Sequence, residues 1–279
     1  MEYESPIPVE VYEPPQGWFP GMRWRELWEY RELLYFLTWR DIKIRYKQAA
    51  LGVTWVVIQP LLTMVIFSVI FGRLAKIPSD GIPYPVFSFV ALLPWLLFAG
   101  ALSRAGSSLV VNRNLLTKVY FPRLIIPLSA VIAGMLDFSI SFIVLIGLLL
   151  FYGILPTWAI LTLPFLVLFA ILTALAVGLW LSALNVQYRD VEYAIPFIIT
   201  AWMYASPVAY SVSLIPTGFW RIIYGLNPMA GVIQGFRWAL LGAEPPGILF
   251  LVSMVVVVVL LITGLMYFQK MEESFADVV

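Results

Sequence analysis

Across 279 residues, 62% of the side chains are hydrophobic, only 12% are charged, and the mean hydropathy is +0.92. A soluble domain carries roughly twice that charged fraction, so the chain reads as a polytopic membrane protein. With no Cys and no His, disulfides, thiolate chemistry, imidazole metal sites and Ser-His or Cys-His catalysis are excluded; the net charge of +1 says nothing about partners.

Residues 1–21 hold Pro6, Pro8, Pro14, Pro15 and Pro20 among four glutamates. They read as an extended cytoplasmic arm with no apolar core of a signal peptide. From 22 to 47, Trp28, Leu34, Tyr35, Ile42 and Tyr46 recur at mostly helical spacings among Arg and Glu. A charged, Trp-rich helix beside a span lies in the membrane interface, or else packs on a partner subunit. We assign 22–50 to this amphipathic interface helix and 51–279 to the transmembrane domain.

Arg40, Lys43, Arg45 and Lys47 end this helix, and charge then vanishes until Arg73. Such a step marks a chain leaving the cytoplasmic surface for lipid. Six segments are long and apolar enough to span about 30 Å: 51–71, 86–109, 124–151, 159–184, 193–212 and 248–268. Arg104, near the inner end of the second, can snorkel towards headgroups. Pro196 and Pro207 predict a kink in the fifth. Six spans with both termini inside leave Arg73, Lys76, Arg221 and Arg237 outside and the other 13 of 17 cations inside, which fixes the orientation.

Between the last two spans, 214–247 is apolar yet too long for a turn. Its two short helical runs, broken at Asn227-Pro228, predict a re-entrant helical hairpin on the outer side. The inner loop 112–122 predicts about two helical turns, with Leu115, Leu116, Val119 and Tyr120 on one side, stopped by Pro122. A stripe of this kind flanked by cations needs a partner groove, or is an ordinary positive-inside loop. Asp137 is the one acid in the middle of an expected span; it and Gln59 are the intramembrane polar candidates, with Asp137 expected in an interhelical or dimer-interface hydrogen bond. No G-x-x-x-x-G-K-[ST] loop occurs in the chain, so nucleotide is expected on another polypeptide if transport uses ATP.

Several of these stretches resemble the permease subunits of polysaccharide-exporting ABC transporters. They are Arg45-Tyr46-Lys47-x4-Gly52-x2-Trp55-x3-Gln59-Pro60-Leu61, Leu115-x2-Lys118-x2-Phe121-Pro122, Asn185-x2-Tyr188-Arg189-Asp190-Val191, Ser206-Pro207-Val208 and Asn227-Pro228-Met229. The pattern runs through nearly the whole chain and is most similar to O-antigen exporters, with teichoic-acid and capsule exporters sharing it. The resemblance implies a homodimer in the inner membrane that catalyses nothing itself. It binds two copies of a separate ATPase, which carries ATP and Mg, and moves a lipid-linked polysaccharide outward. Arg113, Leu115, Leu116, Lys118, Val119 and Tyr120 would form the coupling helix. Tyr188, Arg189 and Asp190 would form an inner-mouth gate, and Trp202, Tyr210, Trp220, Tyr224 and Asn227 the conduit and outer gate. The alternative is an ATP-independent lipid-glycan flippase or a membrane-embedded lipid- or glycan-processing enzyme. No metal or nucleic acid is expected.

Overall fold

A computed structural model describes residues 24–47, 52–272 and 275, in which all regular structure is helical. The arm expected over 1–21 and the link 48–51 lie outside the described residues. The helix expected over 22–47 is present as α1 (Trp24–Glu29) and α2 (Arg31–Lys47). Tyr30 joins them, and the bonds from Tyr30 N to Glu26 O and from Leu34 N to Tyr30 O carry the ladder across. Leu37 is buried and α2 lies against α6, whereas Trp28, Tyr35, Phe36 and Trp39 stay exposed. Large aromatics on a charged helix suit the headgroup layer.

α3 (Gly52–Phe67) widens into a π-helical turn at Ser68–Leu74. α4 (Tyr84–Val111) is the axis of the molecule: it is about 42 Å long, largely buried, and touches α3, α6, α7, α8, α9 and α11. Pro83 and Pro85 flank its first residue, where a missing backbone N–H is harmless. After α5 (Arg113–Leu116), α6 (Ile125–Ile132) and α7 (Gly134–Phe151) follow one another with only Ala133 between them. A 3₁₀ turn, Trp158–Thr162, leads into α8 (Leu163–Gln187), which packs along α4 and α12 (Gly247–Glu272). Gly178 lies against Ala105 at the α4–α8 contact, where an added Cβ would sit 2.7 Å from the Ala105 Cβ.

Among the described residues, five helices are long and apolar enough to cross a membrane: Val53–Leu74, Tyr84–Val111, Ile125–Phe151, Trp158–Gln187 and Gly247–Glu272. Each matches one of the expected spans. The expected span over 193–212 is different. α9 (Asp190–Ala205) has 16 residues and stops at Ser206, whose φ of −104° and ψ of 151° are extended. Pro207 is the cause, because its ring clashes with an α-helical residue before it. Pro196, seven residues into the helix, is accommodated without ending it.

α10 (Phe219–Gly225) and α11 (Pro228–Leu241) are the two short helices expected after this point, broken at Asn227-Pro228. α11 is buried along almost its whole length against α4, α8 and α12. The Asn227 side chain accepts from Met229 N (3.1 Å) and so caps it, and Gly242, at φ 68°, ends it in the left-handed conformation that glycine adopts freely.

Candidate functional site

Two polar clusters stand out in an otherwise apolar bundle. The first gathers at Asp137, in the first turn of α7. Arg45 Nη1 and the Tyr46 hydroxyl, both near the end of α2, donate to its two carboxylate oxygens. Arg104 of α4 lies 3.8 Å away and donates Nε to Ala130 O at 3.1 Å. Burial, and then the Asp137 carboxylate, push the Tyr46 phenol up to about 12, so it remains a neutral donor at physiological pH. A carboxylate flanked by two guanidiniums is cheaper to hold in an apolar bundle than a lone charge.

Arg104 and Asp137 of this cluster line a cavity of about 240 Å³ between α3, α4 and α7. Gln59, Arg104, Asp137 and Ser141 are its polar lining, and Leu93, Leu97 and Phe138 are among its apolar lining. The two intramembrane polar candidates, Gln59 and Asp137, thus share one cavity. Sequence reasoning missed that Arg45, Tyr46 and Arg104 converge on Asp137. Arg104 turns inward to Asp137 and does not snorkel. The available signal was the pair Gly100 and Gly134: an added Cβ at Gly100 would lie 2.9 Å from Arg104 Nη1, and one at Gly134 would collide with Nη2.

The second cluster surrounds the break after α9. Residues 206–208 are buried although their backbone is irregular, and carbonyls in such a place need partners. Side chains supply them. Asn227 Nδ2 donates to Ala205 O (3.1 Å) and Ser206 Oγ (2.9 Å). Arg237 donates Nη2 to Val208 O (3.1 Å) and Nη1 to Tyr210 O (3.0 Å), and the Tyr84 hydroxyl donates to Ala209 O at 2.5 Å. Arg237, which the cation count assigns to the outer side of the membrane, is buried within the protein at 1% exposure, with its guanidinium 3.7 Å from the Phe87 ring centre. Its role in the fold is to satisfy carbonyls and to stack.

Four of the five expected conduit and outer-gate residues meet in pairs here. Trp202 Nε1 donates to Asn227 Oδ1 at 2.8 Å, and the Tyr210 and Tyr224 hydroxyls are 2.8 Å apart. Trp220 stands apart, 58% exposed, beside Phe219. Nearby, Asp80 accepts from the Ser211 and Ser213 hydroxyls, and Arg221 pairs with Glu244 through two bonds of 3.1 and 3.2 Å.

At the other end of α4 the loops are simpler. α5 is one turn rather than two, and Leu116 is buried in the core while Val119 and Tyr120 are exposed. The expected stripe is therefore divided: Leu115 and Leu116 anchor the loop and Val119 and Tyr120 face outward. Arg113 and Lys118 flank them on the surface. Arg40 links α2 to this loop through Asn112 Oδ1 at 2.7 Å. Tyr188, Arg189 and Asp190 form the exposed junction of α8 and α9, held from within by Asn185 Nδ2, which donates to Gly106 O at 3.1 Å.

Residues 32–241 match the ABC-2 type transporter family, and the chain belongs to that family. Over 260 residues it is 34% identical to the O-antigen export system permease protein RfbA of Myxococcus xanthus, covering 91% of this chain and 97% of that protein. A Klebsiella pneumoniae protein of the same name is 31% identical, covering 88% and 95%. The polysialic acid transport protein KpsM of Escherichia coli is 22% identical, covering 84% and 92%.

Proposed function

We propose that this chain is the membrane subunit of an ABC exporter of lipid-linked, O-antigen-like polysaccharide in a bacterial inner membrane. It works as a homodimer with two copies of a separate ATPase, which carries ATP and Mg. The observation that carries this reading is the 34% identity over nearly the full length of an O-antigen export permease. In this reading α9 and the buried stretch after it make the fifth of six crossings. Both termini are cytoplasmic, in keeping with the 13 cations that this topology places inside.

α10 and α11 then form the hairpin that dips in from the outer side. Its tip at Asn227 bonds Trp202, whose ring contacts Phe98 midway along α4; this supports partial insertion. Trp202, Tyr210, Trp220, Tyr224 and Asn227 line or close the outer mouth, offering flat apolar faces and hydroxyl handles to sugars. Tyr188, Arg189 and Asp190 sit at the inner mouth. The ATPase docks on the loop of α5, with Val119, Tyr120, Arg113 and Lys118 facing it.

Co-expression with the ATPase encoded nearest to this gene tests the reading. The two should co-purify, ATP turnover should require both, and deleting the permease gene should remove surface polysaccharide. Val119→Asp with Tyr120→Asp puts two charges into an apolar groove, at several kcal/mol each when desolvated. Association should weaken at least a hundredfold while membrane insertion persists. Turnover by the chain purified alone, or surface polysaccharide unchanged by the deletion, overturns the reading.

A further inference from the structure

Arg123 closes the loop of α5 and opens α6. The backbone turns into that helix at Pro122 and Arg123, whose carbonyls accept from Ile125 N and Ile126 N. The N–H groups of a first turn find no partner within their own helix. Arg123 N donates instead to Glu272 Oε1 at 3.1 Å, in the last turn of α12. The helix dipole favours a carboxylate at this end as well. The Arg123 guanidinium lies over the Phe275 ring, 5.9 Å from its centre. Its Nη1 is buried and makes no hydrogen bond among the described residues, so the ring is the contact that holds it. Phe275 is itself fully buried, with its ring 5.3 Å from that of Phe268. The end of α12 thus grips the root of the loop through one backbone bond and one buried ring.

The other root of the loop is also tied. Arg40 Nη2 donates to Asn112 Oδ1 at 2.7 Å, and Asn112 Nδ2 donates to Ser108 O at 2.8 Å. Between the two ties Leu116 and Phe121 are buried, while Val119 and Tyr120 face outward. Tyr120 stands three residues from Arg123, and Pro122 stiffens that link by fixing its φ. The outward face of the loop therefore moves little unless the end of α12 moves with it. α12 holds no proline, and Ser253 and Glu272, 19 residues apart on it, are separated by about 28 Å. At the far end Ser253 Oγ donates to Gly225 O of α10 at 2.9 Å. A Cβ added at Gly231 of α11 would lie 2.9 Å from the same hydroxyl. Contacts this tight leave no slack between α12 and the two short helices.

We propose that Glu272 and Phe275 are positioning residues for export: they latch the loop of α5 to α12, and α12 carries a displacement of that loop to the hairpin of α10 and α11. The transmission rests on the reading that the ATPase docks on this loop. The latch is measurable on the chain alone, so the two ideas fail separately.

Hydrogen exchange on the full chain, purified without ATPase, reads the latch. Pro122 has no amide, which isolates the Arg123 amide at the root of the loop. Glu272→Ala should speed its exchange roughly tenfold or more. Transmission is read in nanodiscs that hold the chain with its co-expressed ATPase. The reporter is Ala230→Cys, a small change at a buried position of α11, labelled with a soluble thiol reagent. A non-hydrolysable ATP analogue should change its labelling rate roughly threefold or more. Glu272→Ala combined with Phe275→Leu, which keeps an apolar side chain in the core, should still retain the ATPase on purification and should lose most of that response. A merely structural role would lower the yield of folded chain and leave the response per folded complex intact. Unchanged Arg123 exchange in Glu272→Ala, an undiminished response in the double variant, or no response in an unaltered complex that turns over ATP overturns the proposal. An unaltered chain that binds no ATPase overturns the export reading and the transmission with it, and the exchange rate still decides the latch.

Discussion

Asp137 is a single carboxylate on which three side chains from two other helices depend. Removing it as Asp137→Ala leaves Arg45 and Arg104 facing each other across a small void. Loss of one member of a fully buried pair costs about 3–5 kcal/mol. These side chains keep 27–28% exposure, so screening reduces the expected loss to about 2 kcal/mol. Tyr46→Phe removes one neutral donor to the same group and should cost about 1 kcal/mol. Thermal unfolding of the detergent-solubilised protein measures both, and a Tyr46→Phe loss as large as that of Asp137→Ala would show that the phenol and not the arginines carries the cluster. The importance of Asp137 was legible in the sequence, because an acid within an apolar span demands a partner. Its partners were not, since Arg45 and Arg104 lie 92 and 33 positions away in the chain and only packing selects them.

Among the elements, the chain around α9 and α11 departs most from simple periodicity. The long spans were readable as runs of apolar residues, and the break at Asn227-Pro228 as turn chemistry. The sequence predicts a kink from Pro196 and Pro207 inside one span over 193–212, but not that the helix ends at Ala205, because the residues on both sides are apolar and a window average cannot feel one constrained ψ. Nor does it show that Arg237 is spent on buried carbonyls. Asn227 is the joint between these elements: it caps α11, accepts from Trp202 and donates to Ala205 and Ser206. Asn227→Ala should cost about 2 kcal/mol, combining a lost cap with lost bonds. Trp202→Phe should cost about 1 kcal/mol, and the double variant should cost less than the sum, because the two share one bond. Strict additivity in a denaturation series would show the Trp202–Asn227 bond to be energetically idle.

At the scale of the whole molecule, apolar surface on α3, α7 and α12, including Leu62, Ile143, Val255 and Val259, faces outward. Lipid or a second copy covers such surface in a membrane. The hairpin reading makes a separate prediction, and the absence of native Cys makes it easy to test. Single cysteines through 219–241 should label with a membrane-impermeant thiol reagent applied outside. The rate should be fast at Phe219, Trp220 and Ile222, which are exposed, and fall at least tenfold from Pro228 to Phe236, which are buried. Uniformly fast labelling would make the segment an external loop, and labelling of its middle only from the cytoplasmic side would make it two full crossings.

The burial of Arg237 also bears on the order in which the protein is made. Its partners, Phe87, Val208 and Tyr210, all precede it in the chain. A ribosome therefore delivers α11 into surroundings that already contain the carbonyls and the ring that the two Nη groups and guanidinium face of Arg237 meet, and domains do assemble from the amino end during synthesis. The reverse holds at the tip of the hairpin, where the Gly225 carbonyl waits for Ser253 of α12. The nascent chain can thus shelter its deepest cation at once, whereas the bonds to Gly225 O and Asn227 O form only when Ser253 of α12 has followed.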